Sequence, residues 1–305
     1  MAIFDEVGAS IRQLAEGAGS SVVGIGQRWG VGSGIVLGDG KVLTNAHNVR
    51  GDRVTVTFAD GHTAEGNVAG RDVDGDLAVI EVDTGEVPAL AWADGAPAEL
   101  GMAVFALANP GGRGLRVTFG FVSGVERTFR GPRGRRITGS LEHTAPLLPG
   151  SSGGPVLNAD GQLLGINTNR LGEGFYLAIP ADEALRGRAD ALGRGESAAS
   201  PRLGVAITPG HVARRLRRAV GLPDTDGLLI REVMQDSPAA HAGLAQGDLI
   251  VAAAGQPIRT PDDLFDALQA AQGGTIELSI VRGTEERAIQ VTFGGDGQPD
   301  PGQDA

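Results

Sequence analysis

Residues 149–155 read Pro-Gly-Ser-Ser-Gly-Gly-Pro, two adjacent serines between paired small residues. A serine hydroxyl is a poor nucleophile at neutral pH and needs a base within hydrogen-bond reach, itself oriented by an acid. Five histidines make the search for a base short. His47 closes the run Lys-Val-Leu-Thr-Asn-Ala-His, where a side chain at the end of a β segment can project into a cleft. His143 follows Glu142 just ahead of the serine loop and is the local competitor. His62 lies in a turn, His211 in an Arg-rich helical stretch, and His241 far along the chain. An acid is at hand in Asp-Gly-Asp-Leu-Ala-Val-Ile, where Asp76 stands directly before an apolar strand. Each residue alone has a structural reading: a histidine beside a strand, an aspartate in a turn, a glycine-serine loop. In the chain order histidine, aspartate, serine, with strands around each, they can perform acyl transfer through a hydroxyl nucleophile.

Such groups need a rigid scaffold. From Ser21 to about Pro180 the sequence supplies short β-branched runs punctuated by Gly, Asn and Asp, such as Ser-Val-Val-Gly-Ile and Arg-Val-Thr-Val-Thr-Phe. Gly38-Asp39-Gly40, Ala59-Asp60-Gly61 and Ala159-Asp160-Gly161 read as hairpin turns. Many short strands at close spacing predict a mainly β architecture, a barrel or a sandwich. Ahead of them, Ile3, Val7, Ile11 and Leu14 have helical spacing and predict a short N-terminal helical segment over 1–20. Residues 181–201 turn helical and then Gly/Ser/Pro-rich, which marks a domain boundary. Beyond it the texture changes. Ser237-Pro238 and Thr260-Pro261 each pair a cap with proline at the first helical position. Apolar strands flank these two helices, so a small α+β domain is expected. The tail 295–305 has nothing to bury and is expected to be disordered.

Bulk properties narrow the function classes. A chain of 305 residues exceeds what one core usually needs, so two domains are expected. Its 41% hydrophobic and 21% charged residues suit an ordinary globular protein. A net charge of −11 argues against a general nucleic-acid binder. The lack of cysteine excludes disulfides, thiolate metal sites and a cysteine nucleophile. No apolar run approaches the roughly 18 residues of a membrane span. Residues 1–19 lack the basic start and apolar stretch of a signal peptide, so the expectation is a cytoplasmic chain, or an extracytoplasmic one if an export segment is missing. Asp72, Asp74 and Asp76 mimic the start of a calcium loop, but Leu77 replaces the required glycine. Gly30-Val31-Gly32-Ser33-Gly34 has no helix after it and is no dinucleotide fingerprint. Neither a metal nor a cofactor is expected.

Longer motifs sharpen the reading. Thr-Asn-Ala-His-Asn-Val, Asp-Gly-Asp-Leu-Ala-Val and Pro-Gly-Ser-Ser-Gly-Gly-Pro-Val, then Gly-Gln-Leu-Leu-Gly-Ile-Asn-Thr and Gly-Phe-Tyr-Leu-Ala-Ile-Pro, resemble the trypsin-like HtrA/Deg serine proteases. Arg-Leu-Gly-Val and Ser-Pro-Ala-Ala-His-Ala-Gly-Leu-Ala-Gln-Gly-Asp-Leu-Ile-Val resemble the family's PDZ domain. The resemblance implies a chymotrypsin/trypsin-like double β-barrel over 21–186, a linker over 187–201 and a PDZ domain over 202–294. It makes Ser152 the nucleophile, His47 the general base and then acid, and Asp76 the residue that orients the imidazole. Ser151 stands where the family commonly has Asn. Gly150, Ser151 and Ser152 form the implied oxyanion hole, with Gly150 letting its own amide and that of Ser152 converge. Leu147, Asn167, Thr168, Asn169 and Leu171 would line the primary specificity pocket, which the two leucines make apolar. Arg202, Leu203, Gly204 and Val205 resemble the loop whose amides capture a C-terminal carboxylate. An ordinary turn ahead of a strand is the other reading of that loop.

By the same resemblance the activity is ATP-independent endoproteolysis of unfolded or damaged proteins, with C-terminal peptides bound at the PDZ domain. Such proteins commonly form homotrimers through N-terminal segments, for which Phe4, Phe175 and Tyr176 are candidate contacts, packing inside one chain being the other reading of these aromatics. Two departures stand out. His143-Thr144-Ala145 replaces the usual Thr-Asp-Ala, and Asn48 replaces an apolar residue after the base. The five arginines of 127–136 lie near a regulatory loop of the family, or form a plain solvated loop. A non-catalytic chaperone or peptide binder on the same architecture is the alternative, although a binder has no need of His47, Asp76 and Ser152 together.

Overall fold

A computed structural model describes residues 2–26, 31–93, 98–130, 136–170, 174–196, 202–208, 210–271 and 274–293. Residues 131–135 of the arginine-rich stretch, Leu171 and the tail expected to be disordered lie outside the described residues. The chain divides into two compact units, Met1–Ala198 and Ala199–Ala305.

The first unit begins with α1 (Ala2–Gly17) and holds two closed six-stranded barrels. The first barrel contains β1 (Val22–Ile25), β2 (Gly32–Gly38), β3 (Lys41–Thr44), β4 (Arg53–Thr57), β5 (Thr63–Asp72) and β6 (Leu77–Glu81). All its pairings are antiparallel, and β1 closes it by lying against both β2 and β4. The second contains β7 (Ala103–Ala108), β8 (Arg116–Arg130), β9 (Arg136–His143), β10 (Pro155–Leu157), β11 (Leu163–Arg170) and β12 (Tyr176–Pro180). It closes where β10 lies against both β7 and β11.

Alternation of side chains along each strand explains the long apolar runs. In β6, Ala78 and Ile80 join one cluster with Val23, Val36 and Val42, while Leu77 and Val79 face the other way. In β7, Val104 and Ala106 face one cluster and Phe105 and Leu107 the other. The second set from each barrel meets in one shared core. Strands buried on both faces lose the polar alternation of a half-exposed strand, as their sequences show.

Two helices seal that shared core. Leu14 of α1 is buried in it, and so are Leu185, Ala189 and Leu192 of α2 (Glu183–Gly193). The Asp182 side chain accepts from the Leu185 amide at 2.7 Å and starts α2. The linker expected over 187–201 therefore begins too early. Residues 187–193 are helix, and their apolar positions pack on the barrels at helical spacing. The N-terminal helix likewise belongs to the first unit.

The second unit is a single antiparallel sheet with three helices among its described residues. Its elements are β13 (Val205–Thr208), α3 (Gly210–Ala219), β14 (Leu228–Val233), α4 (Pro238–His241), β15 (Leu249–Ala253), β16 (Gln256–Pro257), α5 (Pro261–Ala270), β17 (Thr275–Arg282) and β18 (Glu285–Thr292). The sheet runs β13-β14-β15-β17-β18, with β16 on β15. Ser237 and Thr260 cap α4 and α5 through their hydroxyls, and Thr260 with Asp263 completes a capping box. Leu228, Ile230, Ile250, Leu264, Leu278 and Ile280 form the centre of its own core. β13 pairs only with β14 among the described strands, which leaves its outer edge open.

Candidate active site

His47 lies on a short 3-10 turn, Ala46–Asn48, that ends β3, and Asp76 stands just ahead of β6, the strand that pairs with β3. Asp76 is buried at 1% exposure with φ at +55°. Aspartate tolerates this left-handed backbone better than most residues, and Asn45 Nδ2 holds the peptide by donating to the Asp76 carbonyl at 2.9 Å. The Asp76 carboxylate lies 2.9 Å from His47 Nδ1 through either oxygen. It also accepts the His47 amide at 3.2 Å and the Thr168 hydroxyl at 2.6 Å. A carboxylate only accepts, so Nδ1 carries the proton and Nε2 keeps a lone pair available to a nucleophile.

The serine loop comes from the second barrel and is tied to the first. The Ser33 amide on β2 donates to the Ser152 carbonyl at 2.8 Å. The Ser33 hydroxyl donates to the Gly150 carbonyl at 2.9 Å and accepts from the Asn109 amide at 3.0 Å. Gly153 has φ at +87°, and a Cβ there would stand 2.0 Å from the Ser33 carbonyl. Only glycine fits that approach. Gly150 also takes a left-handed φ, +88°. Ser151 donates its amide to the Leu148 carbonyl at 3.1 Å. It is thus spent in a turn, while the Gly150 and Ser152 amides have no acceptor among the described residues. Ser152 Oγ donates to the Thr168 carbonyl at 3.2 Å and not to His47. Catalytic hydrogen bonds are often long before substrate arrives.

The residues expected in the specificity pocket separate. Leu147 packs at the edge of the second barrel's core. Thr168 meets both ends of the candidate triad, with its hydroxyl on Asp76 and its carbonyl on Ser152. Asn167 is fully buried, and its Nδ2 donates to the Gly154 and Pro155 carbonyls at 3.1 and 3.3 Å. Its Oδ1 accepts from His143 Nε2 at 2.8 Å. That side chain is committed to the serine loop. Asn169 lies on β11 opposite Leu177, and Leu171 falls outside the described residues.

His143, the competing base, is fully buried and stacked on Tyr176. Its Nδ1 has no partner among the described residues, and burial holds its pKa below the ordinary 6.5. A base shut away from solvent beside Asn167 supports the serine loop and has no access to a substrate. Tyr176 is therefore an internal packing residue, whereas Phe175 is 45% exposed. Nothing in the sequence around Asn45, Ser33 or Thr168 flags their contacts, because the partners lie 31 to 117 residues away.

Comparison with known proteins identifies two family domains in the chain. Residues 32–166 match the trypsin-like peptidase domain and residues 229–282 the PDZ domain. A Halomonas elongata relative, named as a periplasmic DegP-like serine endoprotease, is 34% identical over 276 residues, which cover 88% of this chain and 57% of the relative. A Synechocystis sp. relative, named as serine protease HhoA, is 34% identical over 279 residues, covering 86% of this chain and 70% of the relative. The chain belongs to the HtrA family. The solved structure of the HtrA-type protease AlgW with a decapeptide superposes with a TM-score of 0.71, covering 95% of this chain and 99% of that one. At 24% identity that likeness concerns the fold. The chain spans just over half the length of the Halomonas relative.

Membership in the HtrA family corrects one expectation. The periplasmic name of the Halomonas relative overturns the cytoplasmic reading, and where a sequence begins says nothing about export. In the second unit, Leu203 is buried in the core and its carbonyl accepts the Ala239 amide at 2.9 Å. Gly204 has φ at +75°, and a Cβ there would lie 2.2 Å from that of Ser237. Arg202 is exposed, and Val205 opens β13. The loop therefore runs directly into the open strand edge.

Proposed function

We propose that this HtrA-family chain is an ATP-independent serine endopeptidase acting outside the cytoplasm on unfolded or damaged proteins. One observation carries the reading: a buried Asp76 fixes the tautomer of His47 and holds Thr168, whose carbonyl accepts the Ser152 hydroxyl beside two unspent amides. Ser152 Oγ attacks the scissile carbonyl as His47 Nε2 takes its proton. The Gly150 and Ser152 amides receive the charge that develops on the carbonyl oxygen, a contribution of roughly 3–4 kcal/mol per donor in comparable enzymes. His47 then returns the proton to the leaving amine, and water repeats the sequence on the acyl-enzyme. Leu147 and Leu171 favour aliphatic residues before the cut.

The open edge of β13 after the Arg202–Val205 loop supports capture of C-terminal peptides as an added strand. Assembly into homotrimers belongs to the same reading, with Phe175, whose ring is 45% exposed, as a candidate contact. The test compares casein cleavage and fluorophosphonate labelling by the wild type and Ser152→Ala. Cleavage and labelling that both vanish in the variant are the expected result. A wild type that binds C-terminal peptides but never labels would instead establish the non-catalytic binder.

A further inference from the structure

Asn48 directly follows the base in sequence and is buried at 5% exposure. Its Nδ2 donates to the Ser152 carbonyl at 2.9 Å, across 104 residues of sequence, and to Thr44 Oγ1 at 3.0 Å. The neighbours dictate how the amide is turned. Thr44 Oγ1 gives its own proton to the Ser33 carbonyl at 2.7 Å, so toward Asn48 it only accepts. A peptide carbonyl only accepts as well. Both contacts therefore require the NH2 group. The backbone is cleared around it: a Cβ on Gly32 would lie 2.2 Å from Asn48 Cγ.

The Ser152 carbonyl thus accepts from two donors. The Ser33 amide ties it to a strand of the first barrel, and Asn48 ties it to the residue adjoining His47. Base and nucleophile come from different barrels, and this side chain links them without touching substrate. We propose that Asn48 is a positioning residue for acyl transfer, one that fixes the Ser152 backbone against His47. Rotation of the hydroxyl from the Thr168 carbonyl toward the imidazole is then the movement left to complete the nucleophile. The inference rests on the proteolytic reading above. An apolar residue here, as in the usual family pattern, would fill the same space and supply no such link.

Asn48→Leu keeps the volume and removes both donors. Its kcat on a casein-derived peptide is expected to fall roughly tenfold to a hundredfold, as a misplacement of about 1 Å would cause, with KM within twofold. Fluorophosphonate labelling should slow by the same factor. Thr44→Val provides the structural control, because it breaks the rest of the network but leaves the Asn48–Ser152 bond. It should lower the Tm at least as much as Asn48→Leu while kcat stays within threefold. Wild-type kcat in Asn48→Leu, or equal kcat losses in the two variants, overturns the proposal. Should Asn48→Leu fail to fold, Asn48→Ser, too short to reach the carbonyl, carries the same expectation. A wild type that neither cleaves nor labels overturns the proteolytic reading and this inference with it. An active wild type beside an unimpaired Asn48→Leu overturns this inference alone.

Discussion

The cleft between the barrels and the core of the second unit are built from opposite materials. Around the cleft, Ser33, Thr44, Asn45, Asn48, Asp76, Asn167 and Thr168 are all buried. Each holds a partner on another segment. The second unit buries fifteen residues in one apolar cluster and, among its described residues, only Thr208, Arg217, Ser237 and Asp248 as polar ones. Buried polar groups are costly unless satisfied, and a satisfied network specifies one arrangement. The first unit accepts that cost where three side chains must meet from distant strands. The second needs a stable frame for a sheet edge, which apolar packing supplies.

If the difference is functional, breaking the cleft network should cost activity before stability. Asp76→Asn is the severest test short of removing the nucleophile. An amide at that position can donate to His47 Nδ1 and so favour the tautomer with its proton on Nε2, the wrong one for a base. A fall of roughly 10⁴-fold in kcat is expected, with near-normal Tm. Full activity in this variant would end the triad reading. Thr168→Val comes next, since it removes the 2.6 Å bond to Asp76 and keeps the shape. A hydrogen bond to a charged group is worth about 1.5–3 kcal/mol, so kcat should drop roughly tenfold to a hundredfold. An effect on KM alone would move Thr168 from the triad back to the substrate pocket.

How much of this was legible follows the same division. The candidate triad could be proposed from sequence because each member stands in a local motif, and the hairpin turns and helix caps because glycine, aspartate, serine and proline act over a few residues. The two-sided burial of β6 was visible as an unbroken apolar run. Asn48 was noticed as a departure, but its partner is 104 residues away and no local pattern encodes it. Thr168 was assigned to the pocket for a similar reason, since only the packing of the two barrels on each other brings β11 against Asp76. The extent of α2 was obscured by its glycines and arginines, although Leu185, Ala189 and Leu192 keep helical spacing.

His143 sharpens the comparison from the stability side. Burial holds it neutral in the folded state, below its ordinary pKa of 6.5, while the hydrogen bond with Asn167 opposes the shift. Asn167 and the Tyr176 ring face it, and among the described residues its Nδ1 has no acceptor for a proton. Below about pH 6.5 the unfolded chain takes up a proton that the folded chain refuses. Stability contributed by the neutral ring is therefore full above that pH and lost as pH falls toward the folded pKa. The loss is at most about 1.4 kcal/mol per pH unit. Denaturant unfolding of His143→Gln between pH 7.5 and 5 should show a shallower decline than the wild type. Parallel curves would mean that His143 takes up its proton alike in the folded and the unfolded chain.

The smallest effect should come from the second unit and stay there. Thr260 accepts the Asp263 amide at 3.2 Å, and the Asp263 carboxylate accepts the Thr260 and Arg259 amides at 2.7 and 2.9 Å. Removing the cap with Thr260→Ala should cost about 1 kcal/mol, a typical value for an N-cap. The helix it starts buries Leu264 and Leu268 in the apolar cluster of that unit, and none of these residues belongs to the cleft network. Calorimetry should show the thermal transition of the second unit lowered by a few degrees. Fluorophosphonate labelling of Ser152 without peptide should be unchanged. Slower labelling would mean that stability of the sheet-edge unit feeds into the cleft, and the division between an apolar frame and a polar catalytic network would no longer hold.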